Sequence, residues 1–314
     1  MTSDESVRRN AFCAAVDWGT TSFRLWLLDA GGAVIAQSRG TEGMERVRER
    51  GFETTLAEHL DKIGAPAGTP VIICGMAGAR QGWMEAPYRP VPAPLDELAA
   101  HAVRVETSLG DVRILPGVAQ IDADAPDVMR GEETQIAGLG VQGDTLVCLP
   151  GTHSKWVRIE EGAIADFATF MTGEIFDLLS RHSILRHVMD AGEEGDETTF
   201  LAAVREALAE PDVLTTKLFA LRAGPLLSLA DPAAGATRLS GLLIGAEIGA
   251  ARRRLAAESR KLLLVSSGRL GALYRSALAE AGFDVDTVDA EETTRTALHA
   301  MARRLWPSAE ENAR

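Results

Sequence analysis

The sequence predicts an α/β protein made of two similar halves, each following a βββαβαβ plan. Three observations carry this expectation. Short apolar runs alternate with stretches of helical periodicity along the chain. A three-stranded meander occurs twice, near residues 12–38 and again near 145–170. Each meander also holds a glycine-hydroxyl turn after its first strand, Gly19-Thr20-Thr21-Ser22 and Gly151-Thr152-His153-Ser154. The length of 314 residues suits two domains of about 100 to 200 residues. The boundary is expected near residue 124, giving domains 1–124 and 125–314, with the last helix able to pack back on the first.

The elements follow in order. Phe12 to Asp17 is a short apolar run, Phe23 to Asp29 alternates in a β-like way, and Asp29-Ala30-Gly31-Gly32 supplies a hairpin turn before a third strand, Val34 to Ser38. Phe52, Leu56, Leu60 and Ile63 then fall on one helical face. Val71 to Met76 reads as a strand, Leu95 to Thr107 as a helix, and Val112 to Leu115 as a strand. A helix is expected from about Asp127 to Leu139. The second meander comprises Thr145 to Leu149, Lys155 to Glu160 and Ala163 to Phe170, with a tight turn at Glu161-Gly162. Helices are expected at Glu174–Met189, Glu197–Ala209, Asp212–Ala230, Leu239–Glu258, Leu270–Ala281 and Glu292–Trp306, and strands at Lys261–Ser266 and Asp284–Val288.

Composition narrows the function classes. The charge is 32 minus 45, or −13, which opposes binding to phosphate backbones and anionic membranes. No apolar run approaches the roughly 20 residues that span a bilayer, and the polar start Met1 to Asn10 has no apolar segment behind it. A cytoplasmic protein without nucleic-acid or membrane partners is expected. Cys13, Cys74 and Cys148 sit in strand-like runs with no close pair, so they read as small buried hydrophobes.

The two turns carry the first chemical expectation. Glycine lets the backbone approach a ligand, and N–H groups and hydroxyls at a tight turn form an anion-binding concavity. Two such turns facing each other across a cleft would grip a polyphosphate through Gly19, Thr20, Thr21 and Ser22 on one side and Gly151, Thr152 and Ser154 on the other. Lys155 adjoins the second turn and could neutralise nucleotide charge. Asp17 ends the first strand beside the first turn, where a carboxylate can hold hydrated Mg²⁺ through water. Leu149 takes its place in the second half, so one metal-anchoring side is expected.

The doubled plan with phosphate turns resembles the superfamily of sugar kinases, heat-shock ATPases and actin. More specifically, the chain resembles the 2-keto-3-deoxygalactonokinase family in Val16-Asp-Trp-Gly-Thr-Thr-Ser22, Cys74-Gly-Met-Ala-Gly-Ala-Arg-Gln-Gly-Trp83, Met129-Arg-Gly-Glu-Glu-Thr-Gln135, Leu149-Pro-Gly-Thr-His-Ser-Lys-Trp156 and Ser266-Ser-Gly-Arg-Leu-Gly271. The resemblance implies two actin-like, ribonuclease H-like domains flanking a nucleotide and substrate cleft. It also implies Mg²⁺- and ATP-dependent phosphorylation of the terminal hydroxyl of 2-keto-3-deoxygalactonate in galactonate breakdown.

Residue roles follow from the same resemblance. The segment at 130–135 is similar to the Gly-Asp-Gln element of FGGY carbohydrate kinases, which aligns Glu132 with the catalytic base; adjacent helical residues diverge by about 100°, so only one of Glu132 and the alternative Glu133 can face a substrate. Gly75 to Gly78 resembles a sugar-binding element, which makes Arg80, Gln81, Trp83 and Glu42 candidates for the sugar acid, Arg80 for its carboxylate. Ser267 and Gly268 stand where the superfamily holds adenosine. Gly241, Gly245 and Gly249 give one helix a small-residue face for close packing. His153 reads as a hydrogen-bonding turn residue.

Two motifs are set aside. Gly138-Leu-Gly-Val-Gln-Gly143 matches a dinucleotide fingerprint in letters, but it follows a helix and precedes a strand, the reverse of the required order. No phosphate-binding loop of the GxxxxGK[ST] type occurs. Alternatives are a kinase for another sugar or sugar acid, a non-catalytic ATP or sugar sensor, a filament protein, and a phosphatase of the same superfamily.

Overall fold

The structure, a computed structural model, describes residues 10–189, 196–210, 212–255 and 260–307. The first meander is β1 (Ala11–Trp18), β2 (Phe23–Asp29) and β3 (Val34–Gly40). Helices α1 (Met44–Arg50) and α2 (Phe52–Lys62) lead to β4 (Val71–Gly75). After two two-residue strands at Arg89–Pro90 and Ala93–Pro94 come β5 (Val103–Val105), β6 (Val112–Ile114), β7 (Val118–Gln120) and β8 (Asp127–Met129), and then helix α3 (Glu132–Ala137). The second meander is β9 (Thr145–Leu149), β10 (Ser154–Glu160) and β11 (Ala163–Phe170). After it come α4 (Thr172–His182), α5 (Glu197–Ala209), α6 (Val213–Leu226) and α7 (Gly235–Leu255). The chain closes with β12 (Lys261–Val265), α8 (Gly268–Glu280), β13 (Asp284–Val288) and α9 (Ala290–Leu305).

The chain divides into two compact units. One comprises Met1–Gly143, Glu160–Ala165 and Ala290–Arg314, the other Asp144–Ile159 and Asp166–Asp289. In the first unit the sheet order is β3-β2-β1-β4-β6-β5. β1 runs antiparallel to β2 and parallel to β4. Its core is the apolar face of these strands, including Val16, Trp18, Leu25, Ile73 and Ile114, closed by Val47 and Leu56 from the helices. Helix α9 packs on α3 and β1.

The second unit repeats the arrangement, with strands in the order β13-β12-β9-β10-β11. β9 is antiparallel to β10 and parallel to β12, as β1 is to β2 and β4. Two domains of the actin-like plan result, each with its glycine turn between the first two strands. Cys148, Trp156, Ile248, Leu264 and Tyr274 form the core here. The small-residue face of α7 meets α5: a Cβ on Gly241 would stand 2.5 Å from the Phe200 carbonyl oxygen, and one on Gly245 would stand 2.7 Å from that of Val204. All three cysteines are buried. No helix among the described residues is long and apolar enough to cross a membrane.

Three sequence expectations are corrected. Residues 95–107 form no long helix but a 3₁₀ turn at Leu98–His101 and the strand β5. Val103 and Val105 pair with Ile114 and Val112 of β6, so an available strand edge outweighs the local helical spacing. The helix expected at 127–139 is two elements, β8 and α3, separated by Gly131 at φ 108°, a backbone conformation that stops a helix and suits glycine. The helix expected at 174–189 ends at His182, because the Ser183 hydroxyl accepts the Leu185 N–H and starts a separate 3₁₀ turn at Ile184–Val188. Helix α1 and the strands β5, β7 and β8 are not anticipated by the pattern.

Candidate active site

In the first unit, strand β1 delivers Asp17 to the edge of the turn at residues 19–22. Asp17 Oδ2 accepts from Arg24 Nη1 at 3.1 Å, and the carboxyl keeps 17 % exposure. Burial raises its pKa, Arg24 counters that rise, and the nearby charges of Glu132 and Glu291 push it further up. The turn is closed by Gly19 N–H to the Ser22 carbonyl at 2.9 Å. The N-terminus of α1 ties it down from behind, where Met44 and Glu45 N–H groups donate to the carbonyls of Gly19 and Thr20 at 3.1 and 3.4 Å. With its carbonyls held inward, the turn presents Thr20 and Thr21 to solvent.

The pair at the start of α3 is split by its own helix geometry. Glu133 is 1 % exposed. Its carboxylate accepts Gly131 N–H at 2.8 and 3.0 Å and the Thr134 hydroxyl at 3.1 Å. Glu132 remains half-buried and accepts Arg130 N–H at 3.1 Å. Glu132 thus keeps partial exposure and lies close enough to Asp17 to act on its charge, while Glu133 closes the helix start.

Burial, and next the charge of Glu132, push the Glu133 carboxyl up to about 7. Between pH 4.5, its ordinary value, and 7 the folded chain keeps a proton that the unfolded chain has released. Stability should therefore fall as pH rises through this window, by about 3 kcal/mol in all. Glu133→Gln is expected to gain on the wild type between pH 5 and pH 8 in urea unfolding. Parallel pH profiles would rule this out.

Other candidates in this unit sit differently. Arg80 is 83 % exposed and lies 3.6 Å from Glu85. Gln81 is also exposed. Trp83 stacks on Phe52 at 6.0 Å and meets Trp18 edge-on at 6.4 Å, which makes it part of the wall behind β1. The Glu42 carbonyl accepts Trp18 Nε1 at 2.9 Å, and its Oε2 stands 3.7 Å from His59 Nε2. His59 is itself fixed by the Ser38 hydroxyl at 2.8 Å and by the Phe23 ring at 4.2 Å.

In the second unit, Thr152 and His153 are exposed at the turn, and His153 Nε2 pairs with Glu174 Oε2 at 2.5 Å. Ser154 and Lys155, consecutive in β10 and so on opposite faces, are both withdrawn from solvent. Ser154 is buried with its hydroxyl 2.9 Å from that of Tyr274, and Lys155 is buried with Nζ donating to the His153 carbonyl at 3.2 Å. On the Ser154 side Glu247 accepts from Tyr274 at 2.7 Å and from Trp156 Nε1 at 2.9 Å. Its pKa is raised by burial and drawn back by hydrogen bonds from Thr172, Tyr274, Trp156 and Ser154. Thus the second turn stands on a buried polar network.

Next to Gly151 opens a cavity of about 800 Å³, within the range of small-molecule sites. Phe176, Ile244, Leu270 and Leu273 supply apolar walls, and Thr237, Ser240 and Glu197 supply polar groups. Ser267 immediately precedes and Gly268 opens helix α8, which forms one wall; Gly268 has φ +66°, and a Cβ there would meet nothing within 4 Å.

A family model described as 2-keto-3-deoxy-galactonokinase matches residues 17–301, from Asp17 near the end of β1 into the last helix. The chain belongs to this family. It is 48 % identical over 301 residues to a curated protein of Rhizobium meliloti (strain 1021) described as "Probable 2-dehydro-3-deoxygalactonokinase DgoK1", covering 94 % of this chain and 98 % of that one. The 2-dehydro-3-deoxygalactonokinase of Escherichia coli (strain K12) is 35 % identical over 294 residues, covering 93 % of this chain and 97 % of its own. A crystal structure of a 2-dehydro-3-deoxygalactonokinase protein from Sinorhizobium meliloti superposes with a TM-score of 0.91 at 48 % identity, covering 95 % of this chain and 100 % of that one.

Within this 2-keto-3-deoxy-galactonokinase chain, sequence reasoning missed the glycines that support the two turns. A Cβ on Gly43 would lie 2.2 Å from the Thr20 carbonyl oxygen, and one on Gly173 would lie 2.5 Å from that of Gly151. Gly43 precedes the helix after its meander and Gly173 lies in the first turn of its own, and each helix donates an N–H to its turn, Glu174 to the Thr152 carbonyl at 3.0 Å in the second case. The legible signal was the repeat itself: Glu42-Gly43-Met44-Glu45 and Thr172-Gly173-Glu174 stand at matching points of the two halves. Gly173→Ala must displace the second turn. It is expected to raise the KM for ATP about 10-fold or more, with a smaller effect on melting temperature; an unchanged KM would show that the turn does not touch the nucleotide.

Proposed function

We propose that the chain transfers the γ-phosphoryl group of ATP to the terminal 6-hydroxyl of 2-keto-3-deoxygalactonate. The observation that carries this reading is the family match across residues 17–301, which takes in both glycine turns and the 130–135 segment. The cavity beside Gly151 would take the adenosine, with its phosphates reaching the turn at 151–152. Thr20 and Thr21, together with the N–H groups of the first turn, would bind phosphate oxygens.

Glu132 would orient the acceptor hydroxyl and take its proton as the new oxygen–phosphorus bond forms. The bond from the γ-phosphorus to the bridging oxygen breaks, and ADP leaves with the electron pair. Asp17 is the residue fitted to hold Mg²⁺ through water. It offers one half-buried carboxylate at the edge of the first glycine turn, with Arg24 and Glu132 as its charged neighbours. When bound, the ion supplies charge neutralisation on the phosphate oxygens.

The test is ADP release by the full chain with a panel of 2-keto-3-deoxy acids, aldonates and free hexoses, with and without Mg²⁺. Turnover should require both Mg²⁺ and a keto-deoxy acid. A higher rate on glucose or glycerol than on every sugar acid overturns the reading.

A further inference from the structure

We propose that Arg130, and not the exposed Arg80, takes the carboxylate of the acceptor and so makes the chain select a sugar acid over a neutral sugar. This rests on the acceptor reading above and assigns one of its contacts. Arg130 lies between β8 and α3, partly buried. Its Nη2 donates to the Ala86 carbonyl at 2.8 Å, and its guanidinium carbon stands 4.3 Å from the centre of the Tyr88 ring. Nε and Nη1 are shielded from solvent and have no hydrogen-bond partner among the described residues.

A guanidinium carries five N–H donors in a planar fork and cannot give up its charge. A buried polar group without a partner is costly, and the natural complement of a guanidinium is a planar anion with two oxygens. Nη2 has a second hydrogen, which together with that on Nε or Nη1 makes one edge of the fork fit for a carboxylate. Tyr88, 40 % exposed, covers one face of the group, which leaves the in-plane N–H edges as the donors for a ligand.

Its position matches the proposed chemistry. Arg130 Nη1 lies where a Cβ on Gly78 would come within 2.7 Å, so glycine makes room for the guanidinium at the end of the Gly75–Gly78 segment. The Arg130 backbone N–H donates to Glu132, the proposed base. One residue thus joins the glycine segment after β4 to the carboxylate that would face the acceptor hydroxyl. Arg80, by contrast, already has Glu85 beside it and extends into solvent.

The experiment compares wild type, Arg130→Gln, Arg130→Lys and Arg80→Ala on 2-keto-3-deoxygalactonate and on its C1 amide, in which the carboxylate charge is removed. Wild type should favour the acid. Arg130→Gln should lose about 10²-fold in kcat/KM on the acid, mainly through KM, and change less than about threefold on the amide, with the KM for ATP unaltered. Arg130→Lys keeps the charge but loses the fork, and should fall between the two; it decides the same comparison if the glutamine variant does not fold. The preference should survive in Arg80→Ala. Equal losses on acid and amide in the Arg130 variants, or loss of the preference in Arg80→Ala alone, overturn the assignment. Wild type inactive on every keto-deoxy acid overturns the acceptor reading and this assignment with it. Wild-type turnover with a preference that persists in Arg130→Gln overturns the assignment alone.

Discussion

Glu132→Gln is expected to lower kcat by roughly 10² to 10⁴, the range for losing a positioned general base. Glutamine keeps the length of the side chain and an oxygen that can still accept Arg130 N–H, so the start of α3 should survive. What it loses is the capacity to take the proton. Nucleotide affinity should stay close to wild type, because the role proposed for Glu132 is toward the acceptor hydroxyl and not toward ATP. Glu133→Gln is the matched control: its carboxylate is buried against Gly131 and Thr134, and its removal should cost much less activity. Steady-state kinetics with both substrates varied distinguishes the two. Near wild-type kcat for Glu132→Gln alongside collapse for Glu133→Gln would transfer the base to the neighbour. Normal turnover in both would remove α3 from the chemistry.

Asp17→Asn is expected to reduce kcat/KM about 10²-fold or more and to raise the Mg²⁺ concentration needed for half-maximal rate. Asparagine has nearly the same volume, so the packing of β1 between β2 and β4 is preserved. Two electrostatic changes oppose each other. The variant loses the pairing of Asp17 with Arg24, and it also removes a half-buried charge that Glu132 and Glu291 repel. Stability should therefore change by no more than about 1 kcal/mol. Thermal melting beside Mg²⁺-dependent initial rates tests both halves of this expectation. Equal loss of stability and activity would return Asp17 to a purely structural role.

Much of the fold was legible because it is encoded locally. The alternation in Phe23 to Asp29, the turn at Asp29 to Gly32 and the helical spacing of Phe52, Leu56 and Leu60 each specify an element within a few residues. Residues 95–107 were misread because a short apolar pattern is compatible with helix or strand, and only the open edge of β6 decided between them. The site followed the same division. The one-in, one-out arrangement of Glu132 and Glu133 follows from helical geometry, but that Glu133 is the buried one shows only in its bonds to Gly131 N–H and the Thr134 hydroxyl.

Ser154 and Lys155 make the limit concrete. Strand β10 is buried from Ser154 through Val157, so its two faces carry no contrast in polarity and the sequence holds no sign of which way either side chain points. Tyr274, 120 residues away, draws the Ser154 hydroxyl inward, and Glu247 stands below it. By itself the sequence determined the doubled strand order, the two glycine turns and the residue types beside them, since these rest on backbone freedom and side-chain chemistry at neighbouring positions. Only the tertiary structure decided which of those side chains face solvent, which glycines hold the turns in place, and where a guanidinium lies with donors to spare. Such directions are set by contacts between residues far apart in the chain, and local periodicity carries no record of them.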